Sequence, residues 1–261
     1  MTNLQGKSIL ITGASAGIGA ALARLAAQSG AAVTLVARRD DRIRELALEI
    51  QNAGGKALAL KGDVDRDGDL EAAVSAAIKE FGQLDIFVAN AGFGVTGRVD
   101  QLTLDDYRRQ FETNVFGVIR SAQASCEALK KSKGQFVILG SVMSYISPAE
   151  SSAYSMSKFS VRALAESLTA EWKEWGVAVT LICPGLVKSE IRHIDNQGVL
   201  HPERVDRAPA FLVMPTDTAA RKILCAISRR KREYVLTLHG KVIVLLARYM
   251  PWLMRIISRV I

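Results

Sequence analysis

Short apolar segments alternate along this chain with longer segments of helical periodicity, and no other feature constrains the fold as strongly. Because the apolar segments are continuous rather than alternately polar, they are typical of strands buried on both faces of a parallel sheet. The predicted strands are 8–11, 32–37, 57–60, 86–89, 136–139 and 177–182. The predicted helices are 18–29, 40–53, 67–81, 103–131 and 152–175.

Six strand–helix units in succession predict a single doubly wound α/β domain, in which a parallel sheet lies between two layers of helices. A seventh strand at 234–238 is expected to close one edge, which gives a parallel seven-stranded sheet. Thr103, which shortly precedes two aspartates, is typical of a helix N-cap. Gly30, Gly54 and Gly134 stand where helices should end.

The formal net charge of +8 is concentrated near the C-terminus, where residues 221–261 hold ten Lys or Arg and one acid, Glu233. A basic segment can meet nucleic acid, an anionic membrane or an acidic partner, but no nucleic-acid motif accompanies it, so no nucleic-acid partner is expected. Three widely spaced cysteines and three scattered histidines predict no metal site and are typical of a reduced, cytoplasmic protein. The short polar segment 1–6 is not typical of a secretion signal.

A glycine-rich turn lies between the first predicted strand and the first predicted helix, and it reads TGASAGIG over residues 12–19. Glycine is needed where a backbone turns tightly or approaches a phosphate closely. The helix that follows presents free N–H groups and the positive end of its dipole to a pyrophosphate. This arrangement indicates a Rossmann-fold dinucleotide site, although a purely structural turn would also account for the glycines.

The end of the second predicted strand indicates which dinucleotide binds. Folds that bind NAD usually place an acid about 20 residues after the glycines, on the ribose 2′-hydroxyl. Here Ala37 occupies that region, and Arg38 and Arg39 follow it. Because a guanidinium binds phosphate through paired hydrogen bonds, this pair predicts a 2′-phosphate site and hence NADP(H). The alternative is a solvated helix start, since Arg42 and Arg44 are basic as well.

Tyr154 and Lys158 stand four residues apart in a predicted helix, so their side chains share one face about one turn apart. A free tyrosine, whose pKa is about 10, exchanges protons poorly at neutral pH. A nearby cation favours the phenolate, so Lys158 is expected to lower the pKa of Tyr154. Such a phenol can donate a proton to a ketone oxygen or remove one from an alcohol. The same spacing also arises by chance on many helices.

These motifs, in this order, resemble those of the short-chain dehydrogenase/reductase family over residues 6–240. The family motifs TGxxxGIG, NAG and YxxxK are each matched, and Ser189 stands where members often carry threonine. The matching positions are 12–19, Asp63-Val64, Asn90-Ala91-Gly92, Asn114, Ser141, Tyr154 with Lys158, and Pro184-Gly185.

The resemblance implies four catalytic residues. Tyr154 would exchange a proton with the substrate oxygen, and Ser141 would orient that oxygen. Lys158 would tune Tyr154 and hold the nicotinamide ribose, and Asn114 would position a water on a proton relay. The implied or predicted cofactor contacts are Gly13, Ser15, Gly17, Ile18, Gly19, Arg38, Arg39, Asp63, Val64, Asn90, Ala91, Gly92, Tyr154, Lys158, Pro184, Gly185, Val187 and Ser189. A homo-oligomer, dimer or tetramer, built on helix 152–175 is also implied.

The substrate is expected beyond the carboxyl ends of the strands, under a long irregular segment at about 185–215. A segment of this length without regular structure is typical of a mobile lid. Arg192 and His193 are candidates to bind an acidic group, or they belong to a solvated loop face. The candidate walls are Phe93, Met143, Tyr145, Leu186 and 190–214.

The last residues, 241–261, form an apolar and basic tail after the catalytic domain, 1–240. A proline and three arginines disfavour a membrane-spanning helix. On a helix, Arg248, Arg255 and Arg259 would share one face while apolar residues cover the rest, which is the pattern of a helix at a membrane surface. Alternatively, the tail packs against a second subunit or over the substrate site. Apolar tails are also found in relatives that reduce lipid-like ketones, such as 3-ketodihydrosphingosine reductases.

The sequence therefore predicts an NADP(H)-dependent oxidoreductase that transfers a hydride between nicotinamide and a lipophilic ketone or secondary alcohol. It would be cytoplasmic and would contact the inner face of a membrane through residues 242–261. The alternatives are an NADP(H)-binding sensor or scaffold without turnover at a membrane surface, and a membrane-peripheral interaction module in which the fold is incidental. The complete set of four catalytic residues favours the enzyme.

Overall fold

A computed structural model describes residues 3–201, 203 and 208–257, and it confirms the predicted α/β class. The strands are β1 (Ser8–Thr12), β2 (Ala32–Ala37), β3 (Lys56–Lys61), β4 (Ile86–Ala89), β5 (Gln135–Leu139), β6 (Ala178–Cys183) and β7 (Glu233–Val235). They form one seven-stranded parallel sheet in the order β3-β2-β1-β4-β5-β6-β7. The strand order reverses between β1 and β4, and a crevice for a ligand is expected at the carboxyl ends of these two strands.

Helices cover both faces of the sheet. The α-helices within the described residues are α1 (Gly17–Gln28), α2 (Asp40–Asn52), α3 (Asp69–Phe81), α4 (Leu104–Phe111), α5 (Gly117–Ser132), α6 (Ser152–Glu171), α7 (Thr216–Ser228), α8 (Leu238–Tyr249) and α9 (Pro251–Ile257). Two buried clusters form the core: α1, α2 and α7 pack on one face of the sheet, and α3, α5 and α6 pack on the other.

Strand β1 shows why the predicted strands are apolar throughout. Ile9 and Ile11 belong to one core cluster, and Leu10 belongs to the other. Successive side chains of a strand point to opposite faces of the sheet. All three side chains are fully buried, because each face of this central strand is covered by helices.

The helix predicted over 103–131 is divided in the structure. Helix α4 is followed by a five-residue π-helix, Glu112–Phe116, and then by α5. The predicted N-cap is confirmed: the Thr103 hydroxyl accepts the Asp106 N–H at 3.2 Å, and the Asp106 carboxylate accepts the Thr103 N–H at 2.9 Å. This reciprocal capping box satisfies two N–H groups that a helix start would otherwise leave open.

Two other expectations about the helices need correction. Helix α7 is not predicted from the sequence, although it begins directly after Pro215. Gly30 and Gly54 follow their helices with φ of +91° and +83°, as predicted. After α5, however, the left-handed residue is Lys133, with φ of +48°, and not Gly134.

The seventh strand is shorter than predicted, and helix α8 begins before the predicted start of the tail. Thr237 caps α8, since its hydroxyl accepts the Gly240 N–H at 3.2 Å, and this ends the extended chain before Leu238. Helix α8 crosses the predicted boundary between 240 and 241 and buries Val244 against the domain. Met250 ends α8 and leads into α9.

Arg248 does not take the predicted orientation towards a membrane. Its guanidinium donates to the Glu233 carboxylate at 2.6 Å and to the Tyr145 hydroxyl at 3.1 Å. The other members of the predicted basic face, Arg259 and the side chain of Arg255, lie outside the described residues. In the part of the chain that the structure describes, no helix is long and apolar enough to cross a bilayer.

Candidate active site

The glycine-rich turn joins β1 to α1 at the point where the strand order reverses. Gly13 and Gly17 have φ of +64° and +54°, a region that disfavours other residues. A Cβ at Gly13 would lie 2.8 Å from the Cα of Ala91, and a Cβ at Gly17 would lie 3.4 Å from the Cβ of Ser189. The turn therefore lies against two other segments that were predicted to contact the cofactor.

Asn90 holds the segment after β4 against this turn. Its Nδ2 donates to the carbonyl oxygens of Thr12 and Gly13, at 2.9 and 3.2 Å. The Thr12 hydroxyl in turn accepts the backbone N–H groups of Asn90 and Ala91, each at 3.1 Å. In the structure, Asn90 therefore fixes the backbone of the glycine turn by hydrogen bonds. A direct contact between Asn90 and a cofactor stays a prediction.

Three of the predicted catalytic residues meet at the carboxyl end of β5. Ser141 follows β5, and Tyr154 and Lys158 lie on the first turns of α6. The Ser141 hydroxyl lies close enough to the Tyr154 phenol to favour its ionised form. Lys158 Nζ lies 5.6 Å from the centroid of the Tyr154 ring and donates to the Leu139 carbonyl oxygen at 2.9 Å. The phenol, the hydroxyl and the ammonium can therefore act on one bound molecule.

Burial dominates the proton affinities in this group. Burial raises the pKa of Tyr154, and the neighbouring Ser141 hydroxyl opposes that rise. Burial also lowers the pKa of Lys158 from 10.5 to about 8. The pKa of Tyr154 is thus raised overall in this structure, because desolvation outweighs the contribution of Ser141. That Lys158 lowers this pKa stays a prediction. A lysine with a pKa near 8 can take up and release protons close to neutral pH, as a proton relay requires.

Asn114, the fourth predicted catalytic residue, lies in the π-helix and is fixed by the backbone of Phe93. Its Nδ2 donates to the Phe93 carbonyl oxygen at 2.9 Å, and its Oδ1 accepts the Phe93 N–H at 3.1 Å. A Cβ at Gly92 would lie 3.0 Å from that Oδ1, so glycine gives the amide its space. Short π-helical segments are frequent at functional sites. Because the side-chain amide is engaged, the predicted water relay would involve the backbone of this turn.

The two predicted 2′-phosphate arginines differ in their placement. Arg39 points to the glycine turn, where its Nε and Nη2 donate to Ser15 Oγ at 3.0 and 2.8 Å. Its Nη1 donates to Glu190 at 2.8 Å, and Arg42 Nη1 donates to the other oxygen of the same carboxylate at 2.8 Å. Arg38 is exposed. The basic corner beside the turn is thus formed by Arg39 and Arg42.

Arg42 and Glu190 are absent from the predicted cofactor set, although Arg42 is noted beside it as part of a solvated helix start. In the structure, a cavity of about 210 Å³ opens between α1 and α2, with Ser15 and Arg42 in its wall. The only local signal that Arg42 joins Arg39 is their spacing of three residues, which places the two side chains close together on a helix. The contact with Glu190 has no local signal, because it joins residues about 150 positions apart.

The predicted adenine-side pair, Asp63 and Val64, follows β3. Asp63 Oδ1 accepts the Asp65 N–H at 3.2 Å, and Val64 is buried. Asp65 is missing from the predicted set: burial raises its pKa, and the Thr113 hydroxyl donates to its Oδ2 at 2.8 Å. Within the described ranges, no three His, Cys, Asp or Glu side chains are arranged to hold a metal ion.

The segment predicted as a mobile lid is anchored to the domain at several points. Its base is closed by a parallel bridge between Val187 and Met214. Near its middle, Asn196 exchanges two hydrogen bonds with the backbone of Thr96, at 3.1 and 2.9 Å. Glu190 adds the contacts with Arg39 and Arg42 described above. These anchors place the segment across the crevice, and its mobility stays a prediction.

Two side chains of the candidate substrate walls differ widely in exposure, and their contact with a substrate stays a prediction. Tyr145 is buried between the guanidinium groups of Arg162 and Arg248, which lie 4.3 and 5.0 Å from its ring centroid. Phe211 is 87% exposed. By contrast, Gly94 brings the backbone against Tyr154, since a Cβ there would lie 3.5 Å from the Tyr154 ring.

The turn at Pro184-Gly185 is supported by the start of α8. The Leu186 N–H donates to His239 Nε2 at 3.3 Å, and the same nitrogen lies 3.1 Å from the Thr237 hydroxyl. A side chain at Gly185 would overlap both Thr237 and His239. His239 therefore positions a segment predicted to contact the cofactor, and sequence reasoning alone does not identify it.

Comparisons with known proteins agree with this geometry. The family model described as short chain dehydrogenase matches residues 7–199. The uncharacterised oxidoreductase YxnA of Bacillus subtilis (strain 168) is 30% identical over 259 residues, which span 96% of this chain and 71% of that protein.

Solved structures resemble this one over most of its length. An alcohol dehydrogenase from the archaeon Thermococcus sibiricus, in complex with 5-hydroxy-NADP, has a TM-score of 0.79 at 28% identity and covers 88% of this chain and 96% of its own. A short-chain dehydrogenase/reductase of Burkholderia phymatum, in complex with NAD, has a TM-score of 0.84 at 24% identity and covers 94% of each chain, which shows the likeness of fold.

Proposed function

Because the chain belongs to the short-chain dehydrogenase/reductase family, we propose that it is an NADP(H)-dependent reductase of lipophilic ketones, or a dehydrogenase of the matching secondary alcohols. Family membership makes it an oxidoreductase that interconverts C=O and CH–OH with a nicotinamide cofactor. The preference for NADP(H) and the character of the substrate are our inferences from the site.

The residues around the glycine turn fit a nicotinamide dinucleotide. Gly17 leaves a gap in front of Ser189, and helix α1 starts at this gap from Ala16, which provides no side-chain cap. Its first N–H groups can therefore bind a pyrophosphate. Ser15, Arg39 and Arg42 supply a hydroxyl and two guanidinium groups for a 2′-phosphate. The bound cofactor would supply or accept the hydride.

One observation carries the proposed reaction: the side chains of Ser141 and Tyr154 are neighbours and lie beside the buried ammonium of Lys158. During reduction, negative charge develops on the carbonyl oxygen, and preorganised donors stabilise it. Tyr154 would give its proton to that oxygen while Ser141 holds it by a hydrogen bond. Lys158, whose pKa is about 8, would return a proton to Tyr154.

The decisive experiment follows the absorbance of NADPH with ketones that range from short polar compounds to long-chain 3-keto lipids. We expect turnover with the long-chain members and its loss in Tyr154→Phe, which should still bind NADPH. Tyr107→Phe is the matched control, because that phenol lies on α4, is hydrogen-bonded to Ser152 at the start of α6, and is outside the catalytic group.

The outcomes separate the enzyme from its alternative. Undiminished turnover in Tyr154→Phe would contradict the catalytic assignment. Tight NADPH binding without turnover on any ketone of the panel would favour a non-catalytic NADP(H) sensor or scaffold instead.

The 2′-phosphate site is tested separately by Arg39→Ala. We expect the Kd of NADPH to rise far more than that of NADH, because only NADPH carries the 2′-phosphate. Arg44→Ala is the control, since Arg44 lies one turn further along α2 and pairs with Asp40. Equal losses of affinity for NADPH and NADH would contradict the assignment.

A second surface supports contact with a membrane. Side chains at a 4-3-4-3 spacing along α8 and α9 are half or more exposed: Leu238, Val242, Leu245, Tyr249 and Trp252. The opposite side of α8 is apolar as well, and it packs on the domain. Because the domain covers only that side, the exposed apolar stripe needs a second apolar or interfacial environment. Lys241 flanks the exposed stripe, and the one acid after residue 221, Glu233, is paired with Arg248.

We therefore propose that this stripe rests on an anionic membrane in the cytoplasm, which would also bring a lipophilic substrate near the site. The protein should co-sediment with vesicles that contain phosphatidylserine, and less so at high salt. Leu245→Ser with Trp252→Ser should abolish sedimentation and leave turnover on a water-soluble ketone intact. Absence of sedimentation at low salt would contradict the proposal.

The family resemblance also leads us to propose a homo-oligomer built on α6. Met156 and Phe159 are exposed on this helix, at 50% and 41%, and would be covered in such an assembly. Phe159→Glu should convert the oligomer to monomers in light scattering coupled to size-exclusion chromatography. A monomeric parent protein would contradict this proposal.

A further inference from the structure

A carboxylate lies on the basic corner that we assign to the 2′-phosphate. Glu190 accepts Arg39 Nη1 on one oxygen and Arg42 Nη1 on the other, each at 2.8 Å. A carboxylate held by two guanidinium groups has the same charge sign and the same hydrogen-bond pattern as a bound phosphate.

The geometry at Arg39 shows how closely the acid approaches the proposed site. One edge of the guanidinium, Nε with Nη2, is directed to Ser15 Oγ in the glycine turn. The remaining nitrogen, Nη1, is directed to Glu190. A phosphate bound at Ser15 and Arg39 would therefore share one guanidinium with the Glu190 carboxylate.

Glu190 is ionised in this setting. Burial alone would raise its pKa, but the hydrogen bonds from Arg39 and Arg42 outweigh burial and lower the pKa below its ordinary value. The side chains of all three residues remain about one-third exposed. Their interaction is therefore screened in part but not removed.

We propose that Glu190 is a built-in counter-anion of the 2′-phosphate site and that it sets the preference between NADP(H) and NAD(H). The carboxylate neutralises part of the positive charge of Arg39 and Arg42, and it repels the 2′-phosphate of NADP(H). It therefore moderates the affinity for NADP(H), while NAD(H), which has no 2′-phosphate, is affected little. This inference rests on the proposed function, because it takes Arg39 as the phosphate ligand.

The variant Glu190→Gln removes the charge and keeps the shape of the side chain. The probes are NADPH and NADH, together with 2′,5′-ADP and 5′-AMP, which isolate the phosphate from the nicotinamide. Isothermal titration calorimetry of the full chain gives each Kd without relying on turnover. We expect NADPH and 2′,5′-ADP to bind about tenfold more tightly, or ~1.4 kcal/mol, and NADH and 5′-AMP to change by less than about twofold.

Glu127→Gln is the matched control. Glu127 lies on α5, where its carboxylate forms an ion pair with Lys130 at 2.8 Å, and it does not line the cavity between α1 and α2. The same loss of one negative charge at this position should leave all four Kd values unchanged. An equal gain in affinity from Glu127→Gln would mean that overall charge, and not Glu190, controls binding.

The experiment also separates this inference from the proposed function. If Arg39→Ala weakens NADPH and NADH equally, the 2′-phosphate site itself is misassigned. If Arg39→Ala is selective for NADPH while Glu190→Gln has no effect or weakens NADPH, only the role of Glu190 is overturned. A weakening would show instead that Glu190 positions Arg39 for the phosphate. In the Arg39→Ala background, the tightening caused by Glu190→Gln should largely disappear.

Discussion

The buried ammonium of Lys158 should make the stability of this fold depend on pH in a defined direction. Its pKa falls from 10.5 in the unfolded chain to about 8 in the folded protein, and its side chain is only 7% exposed. Between these two values the unfolded chain binds the proton more tightly than the folded protein does. The free energy of unfolding therefore rises with pH across this window, and the full cost of the buried charge, ~3 kcal/mol, applies below about pH 8.

Lys158→Met isolates this effect, because methionine keeps the length of the side chain and removes its charge. The variant also loses the hydrogen bond to the Leu139 carbonyl oxygen, at a cost of about 1–3 kcal/mol that does not depend on pH. The absolute change in stability at neutral pH is therefore small. Between about pH 7 and about pH 9.5, by contrast, the parent protein should gain ~2 kcal/mol relative to the variant.

Urea unfolding followed by far-ultraviolet circular dichroism at the two pH values measures this difference. Lys61→Met is the control, because Lys61 is exposed at the end of β3, and its curve should follow that of the parent protein. Other groups that titrate at high pH are present in every variant and cancel in the comparison. Parallel pH dependence in the parent protein and in Lys158→Met would refute the reasoning. Turnover should be lost in Lys158→Met whatever its stability.

Three further predictions concern the scaffold. Gly13→Ala should lower the melting temperature and weaken NADPH binding in calorimetry, because an added Cβ would lie 2.8 Å from Ala91 and φ is +64°. Thr103→Ala should reduce the free energy of unfolding by about 1 kcal/mol in urea titrations, through loss of the capping box with Asp106. Arg248→Met should increase hydrogen exchange in α8 and leave exchange in the central strands unchanged, because its ion pair and its stacking on the domain are lost.

The strands were predictable because burial on both faces gives a signal within each segment. The predicted ranges 32–37 and 86–89 coincide with β2 and β4. The π-helix Glu112–Phe116 was not predictable, since it changes the hydrogen-bonding register of a helix without changing its apolar periodicity. Helix α7 was not predicted, and it follows a long irregular segment and begins directly after Pro215.

The residues of the candidate site likewise fall into those that local sequence predicts and those that it does not. Tyr154, Lys158 and the glycine turn could be predicted because local spacing brings their atoms together on one helix or one turn. Glu190 and His239 could not, because each meets its partner only through the tertiary fold. The direction of the pKa change at Tyr154 was also beyond local reasoning, since it depends on how deeply the whole domain buries the phenol.

The C-terminal helices make the boundary between catalytic domain and tail less sharp than the sequence suggests. Gly240 packs so closely on Val142 that an added Cβ would lie 2.7 Å from its side chain, and Val142 directly follows Ser141. Deletion of 242–261 would therefore uncover the apolar surface beneath α8 and remove the partner of Tyr145, Arg248. Lost turnover after such a deletion would not identify a membrane role, because the same loss follows from a disturbed Ser141. Only substitutions on the exposed stripe of α8 and α9 can separate attachment to a membrane from support of the active site.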